Sequence, residues 1–362
     1  MKLIIQPRDG ATPILAAIKG AKKTIDIAIF RFDRKDVEVA LKTAAAKGVR
    51  VTALIAFANR GGEQSLRKLE LRFLDAGIIV ARTSDDLIRY HDKYLVIDRR
   101  VLYVLSTNFT RLDMERSRGF GVVTTRAAWV HEALRLFRAD CSRTKYAPKN
   151  AAFVVSPVNA RKTLGAFLRG AKKELRIYDP RISDKEMLRV LNERDKAGVA
   201  IRVIGTVAGR VPFDVRKLGG VRLHTRTIIR DGREVFIGSQ SLRAAELDSR
   251  RELGLIVRDA KAVNQLIETF ESDWGRKRST KVRKGKDKGV DSVDGESEKA
   301  VKALTKELSP IVGSVKKAVK KAVAHAGDEV LHDKALKNSM KKVVKRAVKD
   351  AVQEAVQERK EA

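Results

Sequence analysis

Apolar and polar positions along the first 275 residues run through one order of elements twice. Ile18-Lys19-Gly20-Ala21-Lys22-Lys23 precedes the apolar run Thr24–Phe30, and Leu168-Arg169-Gly170-Ala171-Lys172-Lys173 precedes Leu175-Arg176-Ile177-Tyr178. A helical stretch and a second strand follow in each copy, the strand entered through Ala46-Lys47-Gly48-Val49-Arg50-Val51 in one and Ala197-Gly198-Val199-Ala200-Ile201-Arg202-Val203 in the other. The short β-branched runs that come next predict strands at Ile78–Val80, Lys93–Ile97, Val101–Leu105 and Gly119–Thr124, closed by a helix over Ala127–Ala139. The second copy predicts strands at Val221–Leu223, Arg226–Ile229, Glu234–Ile237 and Leu253–Val257, closed by a helix over Ala260–Trp274. Gly20 to Gly170 and Gly48 to Gly198 are both 150 residues apart. Such self-similarity predicts two tandem α/β/α repeats related by a pseudo-twofold axis. The segment Ala147–Val158, with Pro148 and Pro157, reads as the connection.

Charge changes the picture next. The 362 residues include 77 Lys+Arg against 45 Asp+Glu, a formal net charge of +32. Residues 276–362 hold 24 of the basic and 13 of the acidic residues, so both parts of the chain are basic. A field of that sign concentrates polyanions, nucleic acid or an anionic lipid surface. Cys141 is the single cysteine, which excludes an internal disulfide framework. His91, His131, His224, His325 and His332 are too scattered for an ordinary zinc site, and no metal or other cofactor is expected. The N-terminal apolar run is too short for a signal peptide, and none approaches the ~20 residues of a membrane span. The expectation is a soluble, cytoplasmic protein with an anionic partner.

The two copies realign on histidine. His91-Asp92-Lys93-Tyr94-Leu95-Val96-Ile97-Asp98 reads H-x-K-x4-D, and His224-Thr225-Arg226-Thr227-Ile228-Ile229-Arg230-Asp231 reads H-x-R-x4-D. The offset, now 133, also relates Ser106 to Ser239 and Arg118 to Arg251. With Ser106-Thr107-Asn108 in one copy and Gly238-Ser239-Gln240-Ser241 in the other, residues 1–275 resemble the phospholipase D superfamily, marked by a duplicated H-x-K-x4-D and a following G-S-x-N. The resemblance implies metal-independent cleavage or exchange of phosphodiesters on lipids or nucleic acids, with two histidines facing across the repeat interface.

The chemistry accounts for the residue types. One neutral imidazole attacks phosphorus to give a phosphohistidine; the other, protonated, donates to the leaving oxygen and later activates water or an alcohol. Residues two apart in an extended segment share a face, so His91 with Lys93, and His224 with Arg226, enter one pocket. Lys93, Arg226, Asn108 and Ser241 are the expected phosphate-binding groups. Asp98 and Asp231 are expected in structural salt bridges, and Ser106 and Ser239 in turns beside the site. Trp129 and His131 read as packing residues of the closing helix.

Each copy departs from the pattern. Arg226 replaces lysine, Ser241 stands where the first copy has Asn108, and Leu105 stands where the second has Gly238. The family usually places a carboxylate downstream that orients a histidine; Glu252 fits that place for His224, and Gly119 occupies it for His91, which could borrow Asp113 or Glu115. Family usage implies His91 as nucleophile and His224 as general acid, whereas Glu252 beside His224 would favour the reverse. A degenerate nucleic-acid-binding module and a phosphatidyl transferase stand as alternatives to the hydrolase, with nucleic acid favoured over anionic phospholipid as substrate.

The boundaries read as repeat one over 1–146, repeat two over 147–275, a charged linker over 276–300 and a basic amphipathic helical tail over 301–362. In the tail, Val315, Ala318, Val319, Ala322, Val323 and Ala326, then Met340, Val344, Ala347, Val348, Ala351 and Val352, recur at helical spacing. Those helices are expected to touch nucleic acid or to self-associate.

Overall fold

The computed structural model describes residues 1–57 and 63–276, so the expected linker beyond Arg276 and the whole tail lie outside the described residues. Repeat one contains β1 (Lys2–Gln6), α1 (Thr12–Gly20), β2 (Thr24–Ile29), α2 (Lys35–Ala46), β3 (Arg50–Ile55), α3 (Glu63–Leu74), β4 (Ile79–Arg82), β5 (Arg89–Tyr90), β6 (Tyr94–Ile97), β7 (Val101–Leu105), α4 (Arg111–Glu115), β8 (Ser117–Thr124) and α5 (Ala127–Ser142). Repeat two contains β9 (Phe153–Ser156), α6 (Ala160–Arg169), β10 (Glu174–Ile182), α7 (Lys185–Lys196), β11 (Ala200–Val207), β12 (Asp214–Arg216), β13 (Arg222–Leu223), β14 (Arg226–Arg230), β15 (Glu234–Gly238), α8 (Ala244–Asp248), β16 (Arg250–Val257) and α9 (Ala260–Gly275). The strands read from periodicity are present within a few residues of their expected ends. One reading is corrected: the connection Ala147–Val158 contains β9, which pairs antiparallel with β16.

The sheets have matching orders, β1-β8-β7-β6-β2-β3-β4 and β12-β11-β10-β14-β15-β16, with β9 on β16 as β1 is on β8. In repeat one the crossovers through α2 and α3 make β2, β3 and β4 parallel, in repeat two α7 does the same for β10 and β11, and β6 and β14 pair antiparallel with β2 and β10. Gly48 and Gly198 sit just past α2 and α7 with φ of 84° and 82°, the left-handed turn that sends the chain from helix into strand. Outer cores form under the crossover helices, around Ile27, Leu41 and Phe73 in repeat one and Ile177, Leu191 and Phe236 in repeat two. A third, central core takes Tyr94, Phe120 and Phe137 from one repeat and Tyr178, Val235 and Phe270 from the other. The repeats therefore share a core and close on each other as one body. No helix among the described residues is long and apolar enough to cross a membrane.

Two exchanges fasten the interface. β5 of repeat one adds parallel to β16, and β13 of repeat two adds parallel to β8. Beside them, Arg118 donates through Nε and Nη2 to Asp273 at 2.7 and 2.9 Å and through Nη1 to the Gln6 carbonyl. Arg251 does the mirror-image task, donating to Asp140 at 3.0 Å and to the Ser156 carbonyl. All four charged side chains are buried, and removing one partner of such a pair strands the other charge. Arg118→Met is accordingly expected to destabilise the protein by about 3–5 kcal/mol, with Arg118→Met/Asp273→Leu recovering most of the loss. Urea unfolding of the three proteins checks this.

Candidate active site

The histidines lie just before β6 and β14, where the chain has left the opposite repeat's sheet and enters its own. The His91 amide donates to the Arg251 carbonyl at 2.7 Å, and the amides of His224 and Thr225 donate to the Arg118 carbonyl at 3.1 and 3.0 Å. Each histidine backbone is thus held by the other repeat. Phe30, at the end of β2, meets the His91 ring edge-on at a centroid distance of 4.5 Å and lies 5.4 Å from Lys93 Nζ. His91 and Lys93 thus both lie against Phe30. Asp92 between them faces the opposite way, towards Arg251 and Asp140, where burial pushes both carboxyls up.

The expected phosphate-binding cations repeat one geometry. Lys93 Nζ donates to the carbonyl of His91, and Arg226 Nη1 donates to that of His224 at 2.7 Å. Arg226 also reaches Ser241 Oγ at 3.2 Å and lies 3.7 Å from Glu246. Burial lowers the Lys93 ammonium to about 7. Asn108 donates to Asp113 through its backbone amide at 2.9 Å and through Nδ2 at 2.7 Å, while its buried Oδ1 has no partner. Ser241 donates its amide to Glu246 at 2.7 Å. Ser106 and Ser239 each use the hydroxyl to accept a β8 or β16 amide, from Phe120 at 2.9 Å and Leu253 at 3.2 Å.

Carboxylates depart most from expectation. Glu252, read as the partner of His224, lies on His91: its oxygens are 2.8 and 3.0 Å from Nδ1. Strand exchange is the reason, since β16 delivers its side chains to the histidine of the other repeat. His224 in turn has Asp113 Oδ2 at 3.5 Å from Nε2, while its Nδ1 is buried with no partner. Asp113 therefore does not serve His91, and Glu115 pairs instead with Arg34 and Arg111. Asp98 and Asp231 also differ from expectation. They accept from three consecutive backbone amides each, Lys22 to Thr24 and Lys172 to Glu174, rather than from side-chain cations. Those amides belong to the repeated Gly-Ala-Lys-Lys segments, so the two sequence signatures are halves of one turn. His131 is exposed, whereas Trp129 is buried.

Burial dominates the electrostatics. It pushes His91 well below 6.5, aided by Lys93 and Arg226, and pushes Glu252 up to about 8 against the pull of Lys93. Both shifts disfavour a buried imidazolium–carboxylate ion pair across the Nδ1 hydrogen bond. Burial likewise lowers His224 to about 3, with Asp113 opposing and Arg226 and Arg222 assisting. Burial raises Asp113 too, but His224, Arg222 and the Asn108 donors outweigh it and hold the carboxyl at about 2. Glu246 is held at about 2 by Arg226, Arg250 and Arg243 despite its burial. Sequence reading missed Phe30, Arg222, Glu246 and Arg250. Carrying the 133-residue offset further would have paired Asp113 with Glu246 and Arg118/Asp140 with Arg251/Asp273. Among the described residues no group of three or more His, Cys, Asp or Glu is placed to hold a metal ion.

Fold and site together define a duplicated α/β protein whose two H-x-K/R-x4-D histidines meet at a strand-exchanged interface. A family profile described as cardiolipin synthase, PLD-like domain, matches residues 14–141 and 164–274, well over half of the sequence. This chain belongs to that phospholipase D-like family. Polyphosphate kinase from Porphyromonas gingivalis has a similar structure (TM-score 0.63, 21% identity, covering 75% of this chain and 50% of that one), so this chain spans half the length of that protein. Phosphatidylserine synthase from Haemophilus influenzae Rd KW20 is similar at a TM-score of 0.58 and 11% identity, covering 75% of this chain and 85% of that one. Nuc, a phospholipase D family member from Salmonella typhimurium, aligns over 41% of this chain and 97% of its own at 21% identity and a TM-score of 0.37. No protein of curated function matches the sequence. At these identities the structural likenesses establish the fold alone.

The Glu252 carboxyl titrates at about 8 when folded against 4.5 ordinarily. The folded state thus holds its proton more tightly, and this group's contribution to stability is present below 4.5 and lost as pH rises through 8. Glu252→Gln removes that loss. Its Tm is expected to exceed wild type above pH 8 by at least about 2 °C, what ~1 kcal/mol brings in a domain of this size, and to match it below pH 4.5. Calorimetry across that range checks the difference.

Proposed function

We propose that this chain is a metal-independent phosphodiesterase that hydrolyses nucleic acid through a phosphohistidine on His91. The observation that carries the reading is the His91–Glu252 pair, in which a buried carboxylate lies 2.8 Å from Nδ1. Once ionised, as it is above about pH 8, the Glu252 carboxylate accepts from Nδ1–H and leaves the Nε2 lone pair as the nucleophile. A carboxylate beside a histidine favours that ring as nucleophile, and Glu252 on His91 supports the assignment that family usage implies.

In the proposed reaction Nε2 of His91 attacks phosphorus and the bond to the leaving oxygen breaks, His224 supplying its proton. His224, now neutral, takes a proton from water as the water oxygen attacks the phosphohistidine, and the P–N bond breaks to restore His91. The low resting affinity of His224 for a proton is set by burial beside Arg226, Arg222 and Lys93. A phosphodiester anion entering among those cations neutralises them and raises the imidazolium's stability, so His224 charges as substrate binds. Lys93, Arg226, Asn108 and Ser241 hold the non-bridging oxygens, and Asp98, Asp231, Ser106 and Ser239 fix the strands that carry them. The net charge of +32, to which both the repeats and the basic tail contribute, supports a polyanionic substrate.

A time course in EDTA tests the reading, with labelled single-stranded DNA and mixed anionic vesicles offered to wild type and to His91→Ala/His224→Ala. Cleavage of DNA by wild type alone is expected, and vesicle hydrolysis instead would replace the substrate. Equal DNA retention by both proteins with no cleavage would favour the binding module.

A further inference from the structure

Within that reading, the two repeats supply their histidines with carboxylates from different places. Glu252 reaches His91 from β16, and the equivalent position on β8 is Gly119. A side chain there would require Thr107 to move, because a Cβ on Gly119 would come within 2.1 Å of Thr107 Cγ2. Gln240 takes the place of Thr107 in repeat two, where Glu252 has room. His224 nevertheless does not lack a carboxylate: Asp113, six residues upstream of Gly119 on α4, brings Oδ2 to 3.5 Å from Nε2. Asp113 and its counterpart Glu246 make the same local bond, each accepting a backbone amide from the Asn108 or Ser241 loop. Glu246 goes on to Arg226, Arg243 and Arg250, whereas Asp113 goes on to Arg222 and His224.

We propose that Asp113 is the positioning residue of His224, taking over from α4 the task that Gly119 cannot perform from β8. The groups facing His224 are Asp113 from α4, Arg222 and Arg226 from its own repeat, and Lys93 and His91 from the other. Asp113 is the one anion among them. It stabilises the imidazolium and engages the Nε2–H without removing its proton, leaving the Nδ1–H for the departing oxygen. The two repeats thus have unlike histidines, one kept neutral beside the buried Glu252 and one that charges beside a fixed carboxylate as substrate binds.

The test compares a leaving group that needs a proton with one that does not. Thymidylyl-thymidine loses a sugar alkoxide, and the p-nitrophenyl ester of thymidine 5′-phosphate loses a stable phenolate. Asp113→Asn is expected to slow the dinucleotide by about 10²-fold, the scale of general-acid assistance, with little effect on the nitrophenyl ester. It should also move the alkaline limb of the dinucleotide pH profile to lower pH. Asp113→Glu should restore part of both. Arg222→Gln, which cuts the Arg222–Asp113 bond but keeps the carboxylate, should lower the rates on both substrates alike, without the selective loss on the dinucleotide. Equal loss on both substrates in Asp113→Asn would overturn the proposal and leave Asp113 a structural anchor. If wild type turns over neither substrate, the phosphodiesterase reading fails by itself. Asp113 is then judged from ¹⁵N-histidine spectra of the resting protein, the His224 signal being assigned by its loss in His224→Ala. A dominant Nε2–H tautomer that weakens in Asp113→Asn supports the positioning role, and an unchanged spectrum contradicts it.

Discussion

Arg118 and Arg251 hold this structure together twice over. The carbonyl of each accepts from the histidine segment of the opposite repeat, and the guanidinium of each binds a buried aspartate of that same repeat. Position and fastening are therefore inseparable: whatever keeps the repeats packed also keeps each histidine backbone fixed to about the precision of a hydrogen bond. Neither repeat alone could present the site, because the strand that anchors each histidine belongs to the other. Side chains set this way need little reorganisation when charge develops on a substrate.

A pseudo-symmetric frame does not give symmetric chemistry. The frame supplies two histidines, two cations bonded to the histidine carbonyls, and two acids that cap the loops after β7 and β15. The differences lie at the positions with chemical consequence. Glycine faces glutamate at 119 and 252, asparagine faces serine at 108 and 241, and lysine faces arginine at 93 and 226. A two-step displacement needs unlike partners, one imidazole with a free lone pair and one with a proton to give. The departures from the family pattern that make each motif look degenerate are, on the proposed reaction, what separates the two roles.

Much of this was legible in the sequence because the repeat is local. The period-2 and period-3.6 runs placed most strands and helices, and the 150- and 133-residue offsets aligned the copies. Pairing between copies was not legible. Offset arithmetic says which residue of repeat two matches Gly119, but strand exchange decides which histidine it touches, and so Glu252 was placed on the wrong ring. Asp98 and Asp231 misled for a related reason: their partners are backbone amides, which carry no signature in side-chain charge. β9 reads as a connection because Phe153-Val154-Val155, between Pro148 and Pro157, shows no strand signal until β16 pairs with it.

The central claim is that His91, held by Glu252 across the interface, is the group that bonds to phosphorus. Bis(p-nitrophenyl) phosphate needs no proton on its leaving group, so His224→Ala should still let it react while blocking hydrolysis of the covalent adduct. Peptide mapping by mass spectrometry after a rapid alkaline quench reads where the adduct sits. The account predicts a nitrophenylphosphoryl group on His91. Label on any other residue, or release of nitrophenolate that persists in His91→Ala, would contradict it.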